Sequence, residues 1–224
     1  MYVLPKLLRL AALSALLAPL PAFAQSSASA TTTTPVMRSA YGERLKLPGV
    51  PNGGKINDSL FRGAQPRQEG IQQLKNLGIT TIVDLRGEDP ARATWERQQA
   101  ESLGIRFVSI PLSGWNPPSN EQVAEFLALF HNNRKENNPQ EKVYVHCRYG
   151  EDRTGVFVAA YRMAMDGWQP QQAMNEMYYF GFNGMWHPSM KSFVRDFPAR
   201  LKTAPALAQF RPATAAQPVQ TVAK

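Results

Sequence analysis

Along the middle of the chain, short runs of β-branched and apolar residues alternate with longer stretches in which apolar residues recur every three or four positions. The short runs predict strands at residues 60–62, 79–85, 105–110 and 142–146. The helical spacing predicts helices over residues 67–77, 90–103, 154–166, 170–180 and 188–201, and another that starts with a capping box at residues 119–122 and runs through Phe130. Strands separated by helices indicate an α/β fold, with a central, mostly parallel sheet flanked by helices.

Both ends of the chain lack this pattern. Residues 1–24 combine a basic start, an apolar run of 11 residues and a small-residue cleavage site at residues 22–24. This is typical of a secretory signal peptide, since spanning a bilayer takes about 20 apolar residues; an uncleaved membrane anchor is the alternative. We expect a flexible linker over residues 25–40, a folded domain over residues 41–202 and a disordered tail over residues 203–224. The predicted location is the periplasm or the outside of the cell, without stable membrane insertion after cleavage.

Composition and charge exclude several kinds of site and partner. Apolar residues make up 43% of the chain and charged residues 19%, which is ordinary globular composition. The single cysteine excludes an internal disulfide and a thiolate-rich metal site. Of the 25 basic residues, five lie outside residues 41–202 and no acidic residue does, so the net charge of +8 falls to +3 for the predicted domain. A nucleic-acid partner is therefore not expected.

One segment carries the candidate chemistry. The last predicted strand leads into residues 146–155, HCRYGEDRTG, and a helix follows. A short loop between a strand and a helix can turn successive backbone N–H groups toward a bound anion, and the helix start adds partial positive charge. Arg153 offers a planar fork for two phosphate oxygens, and Cys147 at the floor of such a loop would have a lowered pKa. The pattern indicates nucleophilic attack by sulfur on phosphorus.

Residues 146–155 resemble the HCxxGxxR[ST]G signature of the cysteine-dependent phosphatases, the protein-tyrosine and dual-specificity phosphatase superfamily. The stretch from residue 60 to residue 88, LFRGAQP…LGITTIVDLRGE, is similar to the start of small atypical dual-specificity phosphatases of bacteria, fungi and plants. The resemblance covers roughly residues 55–200 and implies the phosphatase fold, with a phosphate-binding loop between strand and helix.

The resemblance also implies roles for individual residues. Cys147 would form a phosphocysteine intermediate, and Arg153 would bind the substrate and stabilise the transferring phosphoryl group. Gly150 would permit a positive φ in the loop, and Thr154 would donate its hydroxyl to the sulfur. His146 would brace the loop through the backbone rather than transfer a proton.

The backbone amides of residues 148–153 would bind the phosphoryl oxygens. Arg148, Tyr149 and Glu151 are candidates for substrate selection at the rim. No metal and no cofactor is implied. Arg62 and Gln65 either support the loop or belong to a plain turn.

The general acid does not follow the common pattern of the superfamily. Many relatives use an Asp on a separate loop, whereas here residues 111–120, PLSGWNPPSN, contain neither Asp nor Glu. Asp152 is the first candidate, in a loop position that resembles inositide-directed members; a solvated or salt-bridged role is the alternative. Asp89 and Glu121 are reserves, and Glu151 is a weaker candidate.

Other aromatic and histidine residues are assigned ordinary roles. His131 and His187 are expected to be surface or structural residues, while Trp115 is expected to overhang the site. Core packing is expected for a set of aromatic residues near the C-terminal helices: Trp168, Tyr178, Tyr179, Phe180, Phe182 and Trp186.

The sequence therefore predicts a secreted phosphomonoester hydrolase of the tyrosine or dual-specificity type, acting on a phosphorylated protein or a small phosphate ester. Hydrolysis of inositol phosphates or phosphoinositides is one alternative, although Glu151 makes the loop less suited to highly charged substrates. A non-catalytic phosphate-binding module is another. A rhodanese-like sulfur carrier is disfavoured by the spacing of Cys147 and Arg153.

Overall fold

The computed structural model describes residues 41–131 and 141–211. The predicted signal peptide, the predicted linker up to residue 40 and the tail from residue 212 lie outside the described residues, as does the side chain of His131. Within the described ranges, no helix is both long enough and apolar enough to cross a membrane.

Six strands and six α-helices make up the described part of the chain, followed by a short 3₁₀ helix. The strands are β1 (Glu43–Leu47), β2 (Val50–Lys55), β3 (Leu60–Ala64), β4 (Thr81–Arg86), β5 (Arg106–Leu112) and β6 (Val143–Cys147). The helices are α1 (Gln68–Asn76), α2 (Pro90–Ser102), α3 (Asn120–His131), α4 (Asp152–Met165), α5 (Pro170–Tyr179) and α6 (Pro188–Thr203), and the 3₁₀ helix is Pro205–Phe210.

The strands form one sheet in the order β1-β2-β3-β6-β4-β5. Strands β3, β6, β4 and β5 run parallel, whereas β1 and β2 are antiparallel to their neighbours. The predicted α/β fold with a mostly parallel sheet is confirmed. Its central strand is β6, the strand that ends at the cysteine.

Apolar layers cover both faces of the sheet. Side chains of β6 alternate between them: Val143, Val145 and Cys147 belong to the layer under α3, α4, α5 and α6, while Tyr144 belongs to the layer under α1 and α2. Because neighbouring side chains of a strand point to opposite faces, the side chains of Cys147 and His146 lie on different sides of the sheet.

Capping bonds fix where two helices near the site begin. Ser119 and Gln122 form the predicted capping box before α3, with Gln122 N–H donating to Ser119 Oγ over 3.2 Å and Ser119 N–H donating to Gln122 Oε1 over 2.9 Å. At α2, Asp89 Oδ1 accepts from the N–H of Arg92 over 3.0 Å.

The hairpin of β1 and β2 was not predicted. Its residues, ERLKL and VPNGGK, lack strict alternation of apolar and polar positions, and Val50 is the one large apolar residue that it buries. Pairing of Gly54 in β2 with Arg62 in β3 attaches the hairpin to the sheet. These two strands form through backbone pairing. Because such pairing does not require a regular pattern of apolar side chains, the sequence pattern did not indicate them.

The folded part of the chain extends past residue 202, so the predicted start of the disordered tail is wrong. Thr203 ends α6, and the 3₁₀ helix that follows buries Leu207 and Phe210 in the layer of α3 and α6. Two apolar residues among Ala, Pro and Gln gave too weak a pattern for prediction. Leu207 and Phe210 are buried because the segment packs against α3 and α6, and α3 is distant in the sequence.

We expect Leu207→Ala to lower the free energy of unfolding by about 2–4 kcal/mol, the usual cost of emptying a fully buried leucine site. The matched control is Gln209→Ala, an exposed neighbour in the same 3₁₀ helix, which should change stability by about 0.5 kcal/mol or less. Urea unfolding of the full chain measures both. Equal stability of the two variants would show that the segment does not belong to the core.

Candidate active site

The segment with the phosphatase-like motif lies at the carboxyl edge of the sheet. Strand β6 ends at Cys147, and residues 148–151 form a short loop before α4 begins at Asp152. Strand β3 ends beside it, with Ala64 paired to Cys147. The central strand thus places the single cysteine at the edge where parallel sheets bind ligands.

The carbonyl group of Gly150 is turned outward from the loop. It accepts hydrogen bonds from Arg62 Nη2 and from Asn52 Nδ2, the latter over 3.1 Å. Because a trans peptide holds C=O and the following N–H on opposite sides, the N–H of Glu151 faces away from these donors. Gly150 has the predicted positive φ, +70°, and a Cβ there would lie 2.3 Å from the carbonyl carbon of Gly63. Only glycine fits this position.

The two preceding peptides are turned in the same way. Asn52 Nδ2 lies 3.3 Å from the carbonyl oxygen of Tyr149, and Gln65 N–H donates to the carbonyl of Arg148 over 3.4 Å. The N–H groups of Tyr149 and Gly150 therefore face the same side as that of Glu151. Successive N–H groups on one side of a loop form an anion-binding nest.

Arg62 supports the loop from the sheet. Its side chain is fully buried, and its guanidinium lies 4.2 Å from the centre of the Phe180 ring. Burial lowers the pKa of Arg62 to about 10, which leaves the group charged at neutral pH. Of the two roles that the sequence left open for Arg62, loop support is the one that the structure shows; for Gln65, the supporting group is the backbone N–H.

Cys147 is 3% exposed. Burial of the sulfur raises its pKa, but the neighbouring hydroxyl and N–H of Thr154, the charge of Arg153 and the N–H of Gly150 outweigh this effect. The pKa of Cys147 is therefore lowered from its ordinary value. The Thr154 hydroxyl is buried and has no aligned hydrogen-bond partner among the described residues, so it is free to turn toward the sulfur.

Arg153 is held by a carboxylate that the sequence analysis missed. Its Nη1 and Nη2 each donate to Glu88 over 2.7 Å, and Nη1 also donates to the carbonyl of Leu112 over 3.2 Å. Among the described residues none accepts from Nε, so Nε and the second N–H of Nη2 are free for a ligand. This edge of the fork can bind two phosphate oxygens while the other edge stays paired.

The same contact determines the ionisation of Glu88. The hydrogen bond from Arg153 lowers the pKa of Glu88 to about 2, so this carboxyl is ionised at neutral pH. It can orient Arg153 but cannot donate a proton to a leaving group. Glu88 follows β4, which ends at the same sheet edge, and this position was the signal available in the sequence.

A buried charge cluster lies behind the loop, on the opposite face of β6 from Cys147. Arg86 bonds Asp84 through Nε and Nη2, at 2.8 and 2.7 Å, and its Nη2 donates to Glu96 over 2.8 Å. His146 Nε2 lies 2.8 Å from Glu96 Oε1, an ion-pair distance without the alignment of a hydrogen bond. With His146 protonated, the four charges sum to zero.

His146 thus joins the end of β6 to this cluster; its bracing of the loop through the backbone stays a prediction. Burial lowers its pKa, but the charge of Glu96 outweighs burial, and the pKa of His146 is raised. Its Nδ1 lies 3.4 Å from the carbonyl oxygen of Cys147. Although Asp84, Glu96 and His146 are close enough to share a cation, Arg86 already occupies both carboxylates, and its charge opposes binding of a metal ion there.

The acid candidates differ in their surroundings. Asp89 caps α2, and Glu121 is exposed at the start of α3, where hydrogen bonds from its own backbone and from Ser119 lower its pKa. The pKa of Glu151 is raised, mainly by burial and then by the charge of Asp152. Asp152 is the first residue of α4, directly after the loop.

Asp152 is fixed by two groups from the segment between α5 and α6. Its Oδ1 accepts from the N–H of Asn183 over 3.2 Å, and its Oδ2 lies 3.3 Å from His187 Nε2. From the sequence, His187 was expected to have an ordinary surface or structural role, apart from the loop. The structure instead places its imidazole against the first acid candidate.

Trp115 lies beside these residues, where it was expected. It is 65% exposed, its ring centre is 5.3 Å from that of His187, and with Glu88 it lines one cleft. Tyr149 is exposed at the rim, with the guanidinium of Arg148 5.3 Å from its ring centre.

Core packing was the wrong prediction for three of the six aromatic residues. Tyr178, Tyr179 and Trp186 are exposed, because α5 turns these tyrosines away from the sheet and Trp186 stands in the loop before α6. Phe180 and Phe182 are buried as predicted, and Trp168 is partly buried against the core.

Comparison with known proteins agrees with this geometry. The family described as "DSP-PTPase phosphatase fused to NAD+ Kinase" matches residues 52–196. The dual specificity protein phosphatase TpbA of Pseudomonas aeruginosa is 27% identical over 154 residues, which cover 69% of this chain and 63% of TpbA. The human phosphatidylglycerophosphatase and protein-tyrosine phosphatase 1 is 26% identical over 141 residues, covering 58% of this chain and 67% of the human protein.

The chain is also similar to solved structures of TpbA. A crystal structure of P. aeruginosa TpbA has a TM-score of 0.59 and 26% identity, covering 74% of this chain and 97% of that one. A second TpbA structure, in complex with pTyr, has a TM-score of 0.59 and 25% identity, with 78% and 99% covered. Since the family match spans more than half of the sequence, the chain belongs to the DSP-PTPase phosphatase family.

Proposed function

We propose that this chain hydrolyses phosphate monoesters through a phosphocysteine on Cys147. The observation that carries the proposal is the combination at one loop of a sulfur with a lowered pKa, inward N–H groups and a bidentately oriented Arg153. A phosphate dianion in the nest would lie above the sulfur and within reach of the free edge of the guanidinium.

The residues of the loop have different roles in the formation and the hydrolysis of the phosphocysteine. Cys147 attacks phosphorus as a thiolate, and the bond between phosphorus and the ester oxygen breaks. Arg153 and the N–H groups of residues 149–151 bind the oxygens whose charge is redistributed in the transition state. Water then attacks the phosphocysteine, and the Thr154 hydroxyl stabilises the departing thiolate.

A phosphorylated tyrosine is the substrate class that we favour. The TpbA structure in complex with pTyr supports it, as do the exposed rings of Tyr149 and Trp115 at the rim. Glu151, which has no basic partner in an ion pair of the described residues, disfavours highly phosphorylated inositols. A phosphorylated protein or a small phosphate ester is the corresponding partner, and the pattern of residues 1–24 supports action in the periplasm or outside the cell.

Replacing the nucleophile tests the proposal directly. We expect Cys147→Ser to reduce turnover of phosphotyrosine below detection while binding of vanadate or phosphate is retained, because the nest and Arg153 are unchanged. Steady-state assays and calorimetry of the full chain measure the two properties. A non-catalytic phosphate-binding module would show no turnover by the wild type, and a Cys147→Ser variant of undiminished activity would exclude Cys147 as nucleophile.

The lowered pKa of Cys147 gives a second prediction. Thr154→Val keeps the shape of the side chain but removes its hydroxyl, so the pKa of Cys147 should rise toward its ordinary value, about 8.5. The thiolate fraction below the ordinary pKa of cysteine should fall, and iodoacetamide should alkylate Cys147 more slowly there. The pH dependence of alkylation measures this shift. A profile unchanged from the wild type would show that the hydroxyl does not act on the sulfur.

The pairing of Glu88 with Arg153 gives a third prediction. Glu88→Gln should lower kcat by about 10-fold, since the amide cannot bind both guanidinium N–H groups as a charged acceptor. The pH–rate profile should keep its basic limb, because a carboxyl with a pKa of about 2 donates no proton at neutral pH. Glu101→Gln, at an exposed salt bridge with Arg97 on α2, is the matched control and should leave kcat unchanged. Loss of the basic limb in Glu88→Gln would instead identify Glu88 as the acid.

A further inference from the structure

The loop that follows β5 offers no proton donor. Residues 111–120 contain no acidic side chain, and Glu88 is ionised and paired with Arg153. Yet a tyrosine leaving group has an ordinary pKa of about 10 and departs far more readily when its oxygen is protonated. Phosphotyrosine hydrolysis by this chain therefore requires a donor from another element.

The segment between α5 and α6 brings an imidazole to the loop. His187 Nε2 lies 3.3 Å from Asp152 Oδ2, while the N–H of Asn183 donates to Asp152 Oδ1 over 3.2 Å. Asp152 Oδ1 thus accepts a hydrogen bond, while Oδ2 lies at ion-pair distance from the imidazole without the alignment of a hydrogen bond. Of these two contacts, the imidazole is the group that can exchange a proton with the carboxylate.

The surroundings of His187 keep its ring in one orientation. Trp115 and Phe182 flank it, with ring centres 5.3 and 6.4 Å away, and Ser189 Oγ bonds the carbonyl of Trp115 over 3.1 Å. Of the contacts that His187 makes with described residues, Asp152 is the one with a charged group. Its Nδ1 is buried without a hydrogen-bond partner among the described residues, so Nε2 is the ring nitrogen that faces the carboxylate.

We propose that His187 is the proton-holding partner of Asp152 in phosphate ester cleavage. This inference rests on the proposed phosphatase activity. In the first step the sulfur–phosphorus bond forms, the ester bond breaks, and the leaving oxygen receives a proton through Asp152 from protonated His187. In the second step water adds to phosphorus, the phosphorus–sulfur bond breaks, and the proton of the water returns through Asp152 to His187. The thiolate and the protonated imidazole are thereby restored.

His187→Phe is the test variant, because phenylalanine retains the ring packing against Trp115 and Phe182 but holds no proton. We expect kcat for phosphotyrosine to fall by about 100-fold, in the range of general acid catalysis, and kcat for p-nitrophenyl phosphate to fall by about threefold or less. The reason for the smaller effect is that p-nitrophenolate is a better leaving group than the tyrosine phenolate and needs little protonation. The basic limb of the wild-type pH–rate profile for phosphotyrosine should be absent in His187→Phe.

Asp152→Asn and the double variant complete the experiment. If the two residues act as one unit, Asp152→Asn should show the same selective loss, and the double variant should lose little more than either single variant. Equal losses on both substrates, a retained basic limb in His187→Phe, or additive losses would overturn the proposal. If His187→Phe behaves as wild type while Cys147→Ser is inactive, the phosphatase function stands and this inference fails. If the wild type hydrolyses neither substrate, both fail.

Discussion

The outward turn of the Gly150 carbonyl is the constraint on which the site depends. Two donors from the antiparallel side of the sheet, Arg62 and Asn52, hold this oxygen, and the planar peptide then points the next N–H the other way. A residue with a Cβ would collide with Gly63. The anion-binding property thus comes from hydrogen bonds outside the loop, and the irregular hairpin of β1 and β2 has a function because it supplies Asn52.

The site also depends on charges that compensate one another. Arg153 and Glu88 form one pair, and Arg86 with its two carboxylates and His146 forms a larger cluster behind the sheet. Burying one of these charges alone would be costly, whereas the combined sets can be accommodated. Several of these groups lie at or just after the ends of β4 and β6, and Glu96 and Arg153 come from α2 and α4, so pairing of the two strands brings the cluster and the loop together. The precise position of Arg153 therefore depends on the register of the sheet.

The sequence predicted local features well and distant partners poorly. The strands and helices around Cys147 have strong periodicity, and the loop motif has fixed spacing within ten residues, so both could be recognised. Glu88 and His187 are 65 and 35 residues from their partners along the chain, at Arg153 and Asp152. Their pairing depends on strand order and helix packing, which no local pattern contains. Asn52 was missed because its strand has little hydrophobic patterning.

The acidic groups around the loop are paired in ways that reduce their repulsion of a phosphate dianion. Arg153 neutralises Glu88, and His187 lies against Asp152, so each of these carboxylates approaches the nest together with a cationic or ionisable partner. Glu151 remains, and burial together with Asp152 raises its pKa, which reduces the negative charge that it carries. In the proposed mechanism, the contact between His187 and Asp152 would thus serve both the substrate's approach and the protonation of the leaving group. The segment before α6 would then supply the function of the acid that residues 111–120 lack.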